Sequence, residues 1–131
     1  MSFTQRRKDA LEELCGFLSE AHNYVDVIIV EGIRDVSALR SLGCVAEIEV
    51  LSHTGVSDHD LADEIASKYD SILILTDFDE EGLNLNQRFC SIFERTGAKV
   101  ETGLRRWFAR LMARIGVYAI ESLDNIQDGI E

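Results

Sequence analysis

The sequence predicts an α/β domain: a mostly parallel sheet of four or five strands with helices on both faces, preceded by an N-terminal helix. Three observations point there. Ile72 to Leu75 is an unbroken apolar run, as in a strand covered on both faces, and Tyr24 to Val30, rich in β-branched residues, reads as a second central strand. Between such runs lie longer stretches with apolar residues spaced three or four apart, the βαβ pattern of a parallel sheet. The 131 residues contain no proline, linker composition or internal repeat, and suit one core burying roughly two-thirds of the unfolded surface.

The elements follow in order. Residues 4–22 read as an amphipathic helix, with Thr4 placed to cap it and Leu11, Leu14, Cys15 and Leu18 on one face. Tyr24 to Val30 is rich in β-branched residues and reads as a central strand ending on Glu31-Gly32. A helix follows, with Asp35 near its start and Val36, Leu39 and Leu42 inward, and Gly43 stops it. Residues 45–51 alternate and suit an edge strand; 52–56 are loop. Ser57 caps a helix to about Lys68, whose early Asp58, Asp60 and Asp63 complement the helix dipole. The strand 71–76 leads into Asp77-Phe78-Asp79-Glu80-Glu81-Gly82, then a helix from Leu83 to Arg95 closed by Gly97. Ala98 to Thr102 form a short fourth strand, and Trp107, Phe108, Leu111, Met112 and Ile115 mark another helix, ended by Gly116. Val117 to Ile120 read as a last short strand. The domain layout is thus a helical extension over 1–23, the α/β domain over 24–123 and a tail over 124–131.

Composition narrows the function classes. No apolar run approaches the about 20 residues of a membrane span, and the polar N-terminus has no signal segment, so a cytoplasmic protein is expected. Cys15, Cys44 and Cys90 are isolated, and His22, His53 and His59 lack ligand spacing, which argues against zinc or a disulfide framework. The net charge of −11 argues against a general nucleic-acid binder. Within it, 88–114 is basic: Arg88, Arg95, Lys99, Arg105, Arg106, Arg110 and Arg114 face only Glu94 and Glu101.

Chemistry concentrates at two strand ends. On extended backbone Asp77 and Asp79 point the same way, roughly 7 Å apart. Carboxylates held that close repel unless a cation lies between them, and hard divalent ions such as Mg²⁺ take oxygen ligands. Glu31 ends another strand of the same parallel sheet, so the three acids can converge on one edge, the arrangement phosphate chemistry needs. Glu31 could equally serve as general acid or base, and Gly32 and Gly82 would admit a ligand close to backbone. Acids at helix starts also have a plain structural use with the helix N-terminus. Neither a GxxxxGK[ST] loop nor GxGxxG is present.

Two segments, Val-Ile-Ile-Val-Glu-Gly-Ile-Arg-Asp-Val-Ser-Ala-Leu over 27–39 and Ile-Leu-Thr-Asp-Phe-Asp-Glu-Glu-Gly over 74–82, closely resemble the Toprim domain. The resemblance spans roughly 25–121. Its signature is a Glu-Gly after the first strand and an Asp-x-Asp after the third, here Glu31-Gly32, Asp77-Phe78-Asp79 and then Glu81-Gly82. The length is similar to that of small stand-alone Toprim proteins of archaea and some bacteria. The resemblance implies a Rossmann-like Toprim fold, with Asp77 and Asp79 as Mg²⁺ ligands and Mn²⁺ as a substitute. It implies Glu31 as general acid/base or metal ligand, with Asp35 and Glu81 as secondary members. It implies a nuclease or nucleotidyl transferase acting on RNA or DNA. Arg88, Arg105, Arg106 and Arg110 would then supply phosphate contacts; the rival use of that basic surface is an acidic protein partner or a second copy of the chain. The alternative function is a non-catalytic module acting through a nucleic acid or protein, and a small-molecule phosphatase is a third reading.

Overall fold

In a computed structural model, which describes residues 2–124 and 126, four parallel strands form one sheet in the order β2-β1-β3-β4. The strands are β1 (Val27–Val30), β2 (Ile48–Val50), β3 (Ser71–Ile74) and β4 (Lys99–Val100). β1 pairs with β2 through Ile28↔Ile48 and with β3 through Ile28↔Leu73. The helices are α1 (Phe3–Glu20), α2 (Ile33–Ser41), α3 (Asp58–Lys68), α4 (Glu80–Thr96) and α5 (Thr102–Ile115).

The apolar runs of β1 and β3 are buried on both faces because the sheet is sandwiched. Ile28, Val30, Leu73 and Leu75 pack into a cluster with Leu14 and Leu18 of α1, Leu39 of α2, and Phe108, Leu111 and Met112 of α5. Val27, Ile29, Ile72 and Ile74 face the other way, onto Leu61, Ala62 and Ile65 of α3 and Phe89, Ile92 and Phe93 of α4. The alternation expected of a strand is present, but both sides are core. The N-terminal helix, read from sequence as an extension over 1–23, joins the first cluster. Its Phe17 packs edge-on to Trp107 at 5.1 Å, and Arg7 Nε donates to the Ile115 carbonyl at 2.9 Å.

Several boundaries move. Ser2, not Thr4, caps α1, its hydroxyl accepting from the Gln5 N–H. The edge strand shrinks from 45–51 to Ile48–Val50. α4 starts at Glu80 rather than Leu83, because Asp79 serves as its N-cap. The fifth strand is absent among the described residues, so the sheet has four. The Phe78 N–H donates to the Tyr118 carbonyl and the Ile120 N–H to the Asp77 carboxylate, so this stretch bonds to the loop after β3 and not to a strand. A 3-10 helix, Ile120–Leu123, follows. Of the expected tail 124–131, residues 125 and 127–131 lie outside the described residues.

β1 is followed in the chain by β2 on one side, while β3 lies on its other side. The crossovers therefore diverge between β1 and β3, and a crevice opens at the carboxyl ends of those two strands.

Candidate metal centre

Both halves of the acidic signature flank that crevice. Glu31 follows β1, Asp77 follows β3, and Asp35 projects from the first turn of α2. A carboxylate oxygen from each of Glu31, Asp35 and Asp77 lies within 4.8 Å of the other two.

The backbone holds each of the three by one oxygen. Glu31 Oε2 accepts the Asp77 N–H at 3.1 Å, which ties the two strand ends together. Asp35 Oδ2 accepts the Gly32 N–H at 3.1 Å, and Asp77 Oδ1 accepts the Ile120 N–H at 2.9 Å. Each side chain is thus oriented by the backbone and still brings a carboxylate oxygen to the cluster. This is the outer-shell support that metal-ligating carboxylates require.

The electrostatics agree. Burial, reinforced by the Asp77 side chain beside it, pushes the Glu31 carboxyl up to about 7. Asp35, only 6% exposed, is also raised, first by burial and then by the charges of Asp77 and Glu121. Carboxylates crowded and partly dehydrated in this way favour a proton or a cation. An all-oxygen donor set with two raised acids fits a hard divalent ion.

Asp79 does not join them. Its Oδ1 accepts the Gly82 N–H at 2.8 Å as the N-cap of α4, and the residue is exposed. The expectation that it points alongside Asp77 assumed extended backbone through both, whereas β3 ends at Ile74. Glu81 lies in the first turn of α4. With Asp79, Glu80, Asn84, Leu85 and Arg88 it lines a separate cavity of 610 Å³.

Gly82 has a use unrelated to a ligand. A Cβ there would overlap the Asp77 carbonyl oxygen, so the glycine lets α4 start directly against the Asp77 backbone. The buried Thr76 hydroxyl donates to the Gly82 carbonyl at 2.7 Å and locks that junction. At Gly32, by contrast, a Cβ would meet nothing within 4 Å, and its φ of −150° is open to any residue.

The basic residues divide. Arg105, expected on a nucleic-acid surface, is only 7% exposed and faces inward. Its Nη1 donates to the Ile74 and Thr76 carbonyls, both at 3.0 Å, and its Nη2 to the Asp77 carbonyl at 3.3 Å. The guanidinium also stacks on Phe78, 4.4 Å from the ring centre. Burial lowers its pKa to about 10, so it stays charged at neutral pH. It clamps the turn that presents Asp77. Arg88 is exposed and pairs with Asp58 at 2.9 Å. Arg106 and Arg110 are exposed on α5.

Two residues that the sequence reading left aside line the carboxylate cavity of 400 Å³ together with Glu31, Asp35 and Asp77: Arg34 and Glu121. Arg34 had a signal, its place inside Glu-Gly-Ile-Arg-Asp. Glu121 had none, because only the return of the chain after α5 brings it there.

The Toprim domain family model matches residues 26–111. A UPF0292 protein of Pyrococcus horikoshii is 38% identical over 106 residues, covering 81% of this chain and 77% of that one. A UPF0292 protein of Methanosarcina barkeri is 33% identical over 119 residues, covering 91% and 81%. A solved structure of a protein from Aquifex aeolicus shares the fold with a TM-score of 0.67, at 24% identity over 85% of this chain and 95% of that one.

Proposed function

The chain belongs to the Toprim domain family, and from that premise we propose that it carries out Mg²⁺-dependent phosphodiester chemistry on nucleic acid, as a nuclease or nucleotidyl transferase. The observation that carries this reading is the approach of Glu31, Asp35 and Asp77 within 4.8 Å at the switch-point crevice. Asp35 and Asp77, each held by a backbone N–H, are the residues that would hold the cation. Such an ion supplies charge stabilisation to phosphoryl oxygens as the transition state forms. Glu31, with a carboxyl raised to about 7, can take or return a proton at its free oxygen near neutral pH. Arg105 fixes the carbonyls around Asp77 and so keeps the donor set in place.

The test is Mn²⁺ titration by calorimetry with wild type, Asp77→Asn and Asp35→Asn, run beside cleavage of labelled RNA and DNA oligonucleotides in Mg²⁺. Loss of a direct ligand should cost more than the about 10- to 100-fold typical of an outer-shell change, and cleavage should vanish with it. Unchanged Mn²⁺ affinity in both variants would sink the reading.

One observation favours a second reading, a non-catalytic binding module. Two of the arginines expected to meet phosphates are occupied within the protein, Arg105 by backbone carbonyls and Arg88 by Asp58. Metal and oligonucleotide binding without turnover in any divalent ion would select that alternative.

A further inference from the structure

An acidic crevice in a chain of net charge −11 repels the phosphodiester it is to act on, so a cation of the protein must meet the substrate beside the metal. Most of the candidates near the crevice are excluded by geometry. Arg105 is buried under the Asp77 turn, Arg88 is held by Asp58, and Arg106 and Arg110 line neither cavity at the carboxylates. Arg34 differs on each count. It stands exposed on the first turn of α2, between Glu31 and Asp35 in the chain, and takes part in no ion pair among the described residues.

Its position is informative as well. Arg34 lines the carboxylate cavity and also a second cavity of 400 Å³ with Ser37, Glu121, Ser122 and Asp124. Arg34 and Glu121 are common to both, so the two cavities adjoin at these side chains. Within the second cavity, the Ser122 hydroxyl can donate to a phosphate oxygen, while the Ser37 hydroxyl donates to the Ile33 carbonyl at 3.5 Å and must release it to do the same. The carboxylate oxygens of Glu121 and Asp124 suit the hydroxyls or amino groups of a nucleotide and not its phosphates. The phosphate is left to Arg34, whose fork geometry matches it.

We propose that Arg34 anchors a substrate phosphate, and that the nucleic-acid backbone runs from Glu31, Asp35 and Asp77 across Arg34 into the cavity of Ser37 and Ser122. This rests on the phosphodiester reading above and adds the residue that binds the substrate and the path it takes.

The test compares full-length wild type, Arg34→Ala and Arg34→Lys. Labelled single-stranded RNA and DNA oligonucleotides are bound by anisotropy over a salt series in Mn²⁺, cleavage kinetics are measured in parallel, and Mn²⁺ affinity is measured without nucleic acid. Arg34→Ala should weaken oligonucleotide binding or raise KM by about 10- to 100-fold, and reduce the slope of log K against log salt by about 0.7 to 0.9. Its Mn²⁺ affinity should stay level or rise, since a neighbouring positive charge is gone. Arg34→Lys should restore the slope and part of the affinity. An unchanged slope and KM in an Arg34→Ala protein that binds Mn²⁺ more tightly would make Arg34 a mere counter-charge and overturn the inference, with the phosphodiester reading intact. Wild type that binds Mn²⁺ but neither binds nor cleaves any oligonucleotide would overturn both. Arg34 is exposed, so an unchanged melting temperature will verify that each variant is folded.

Discussion

Replacing Gly82 by alanine sets helix propensity against tertiary packing, and the two predict opposite signs. Gly82 is the third residue of α4. By propensity, alanine in a helix is favoured over glycine by about 1 kcal/mol. In the folded protein, however, the new Cβ would overlap the Asp77 carbonyl oxygen and stand 2.5 Å from its carbon and 2.9 Å from its Cα. The Asp77 backbone or the first turn of α4 must retreat by about 1 Å to reach van der Waals distance. Neither can do so freely. Arg105 holds the carbonyls on one side, and the Thr76 hydroxyl and Asp79 carboxylate hold Gly82 on the other. Overpacking of this kind costs about 1–3 kcal/mol, and a buried hydrogen bond lost with it about 1 more. After the propensity gain, Gly82→Ala should destabilise by about 1–3 kcal/mol and lower Mn²⁺ affinity, because the shift falls on Asp77. Urea unfolding with a paired control measures it. Gly16→Ala lies in the interior of α1 with nothing within 4 Å of its Cβ, and should stabilise by up to about 1 kcal/mol. If Gly82→Ala proved as stabilising as the control, with Mn²⁺ affinity unchanged, the packing argument would be wrong.

Arg105→Met removes three hydrogen bonds to carbonyls in a buried site, and should cost about 2–4 kcal/mol in urea unfolding; a loss below about 1 kcal/mol would contradict the clamp. Asp79→Ala should lose the α4 cap, about 1 kcal/mol, while weakening Mn²⁺ binding far less than Asp77→Asn does; equal losses on calorimetric titration would place Asp79 among the ligands after all. The metal-free chain should grow less stable as pH rises from about 4.5 through about 7. Glu31 has its folded pKa raised to about 7, and Asp35 is raised too, so the stability these groups lend is complete below their unfolded pKa values and fades as they ionise. Cation competes with proton at the same oxygens, so Mn²⁺ affinity should climb over that window; a metal-free melting temperature that rises between pH 5.5 and 7.5 in step with Glu31 ionisation would reverse the assignment of its environment.

The amino-acid sequence alone determined the layered architecture of this protein and the two ends of its site. Tyr24–Val30 and residues 71–76 announce central strands because strand propensity and apolar runs are local, and Glu31 and Asp77 are legible because each directly follows such a strand. Even the helix ends at Gly43, Gly97 and Gly116 were readable, since each takes a positive φ that L side chains avoid. Only the tertiary structure decided which acids meet. Asp79 caps α4, whose start at Glu80 sets it outside the cluster of Glu31, Asp35 and Asp77. Arg105 could face solvent or core, and the unfilled carbonyls of Ile74, Thr76 and Asp77 drew it inward. Asp35 and Glu121 reach Glu31 and Asp77 through the docking of α2 and through the return of the chain after α5. The physical reason is range. Secondary structure follows from neighbours a few residues apart, whereas the partners of Glu31 and Asp77 were chosen by backbone N–H groups and carbonyls that become neighbours only once the sheet has closed.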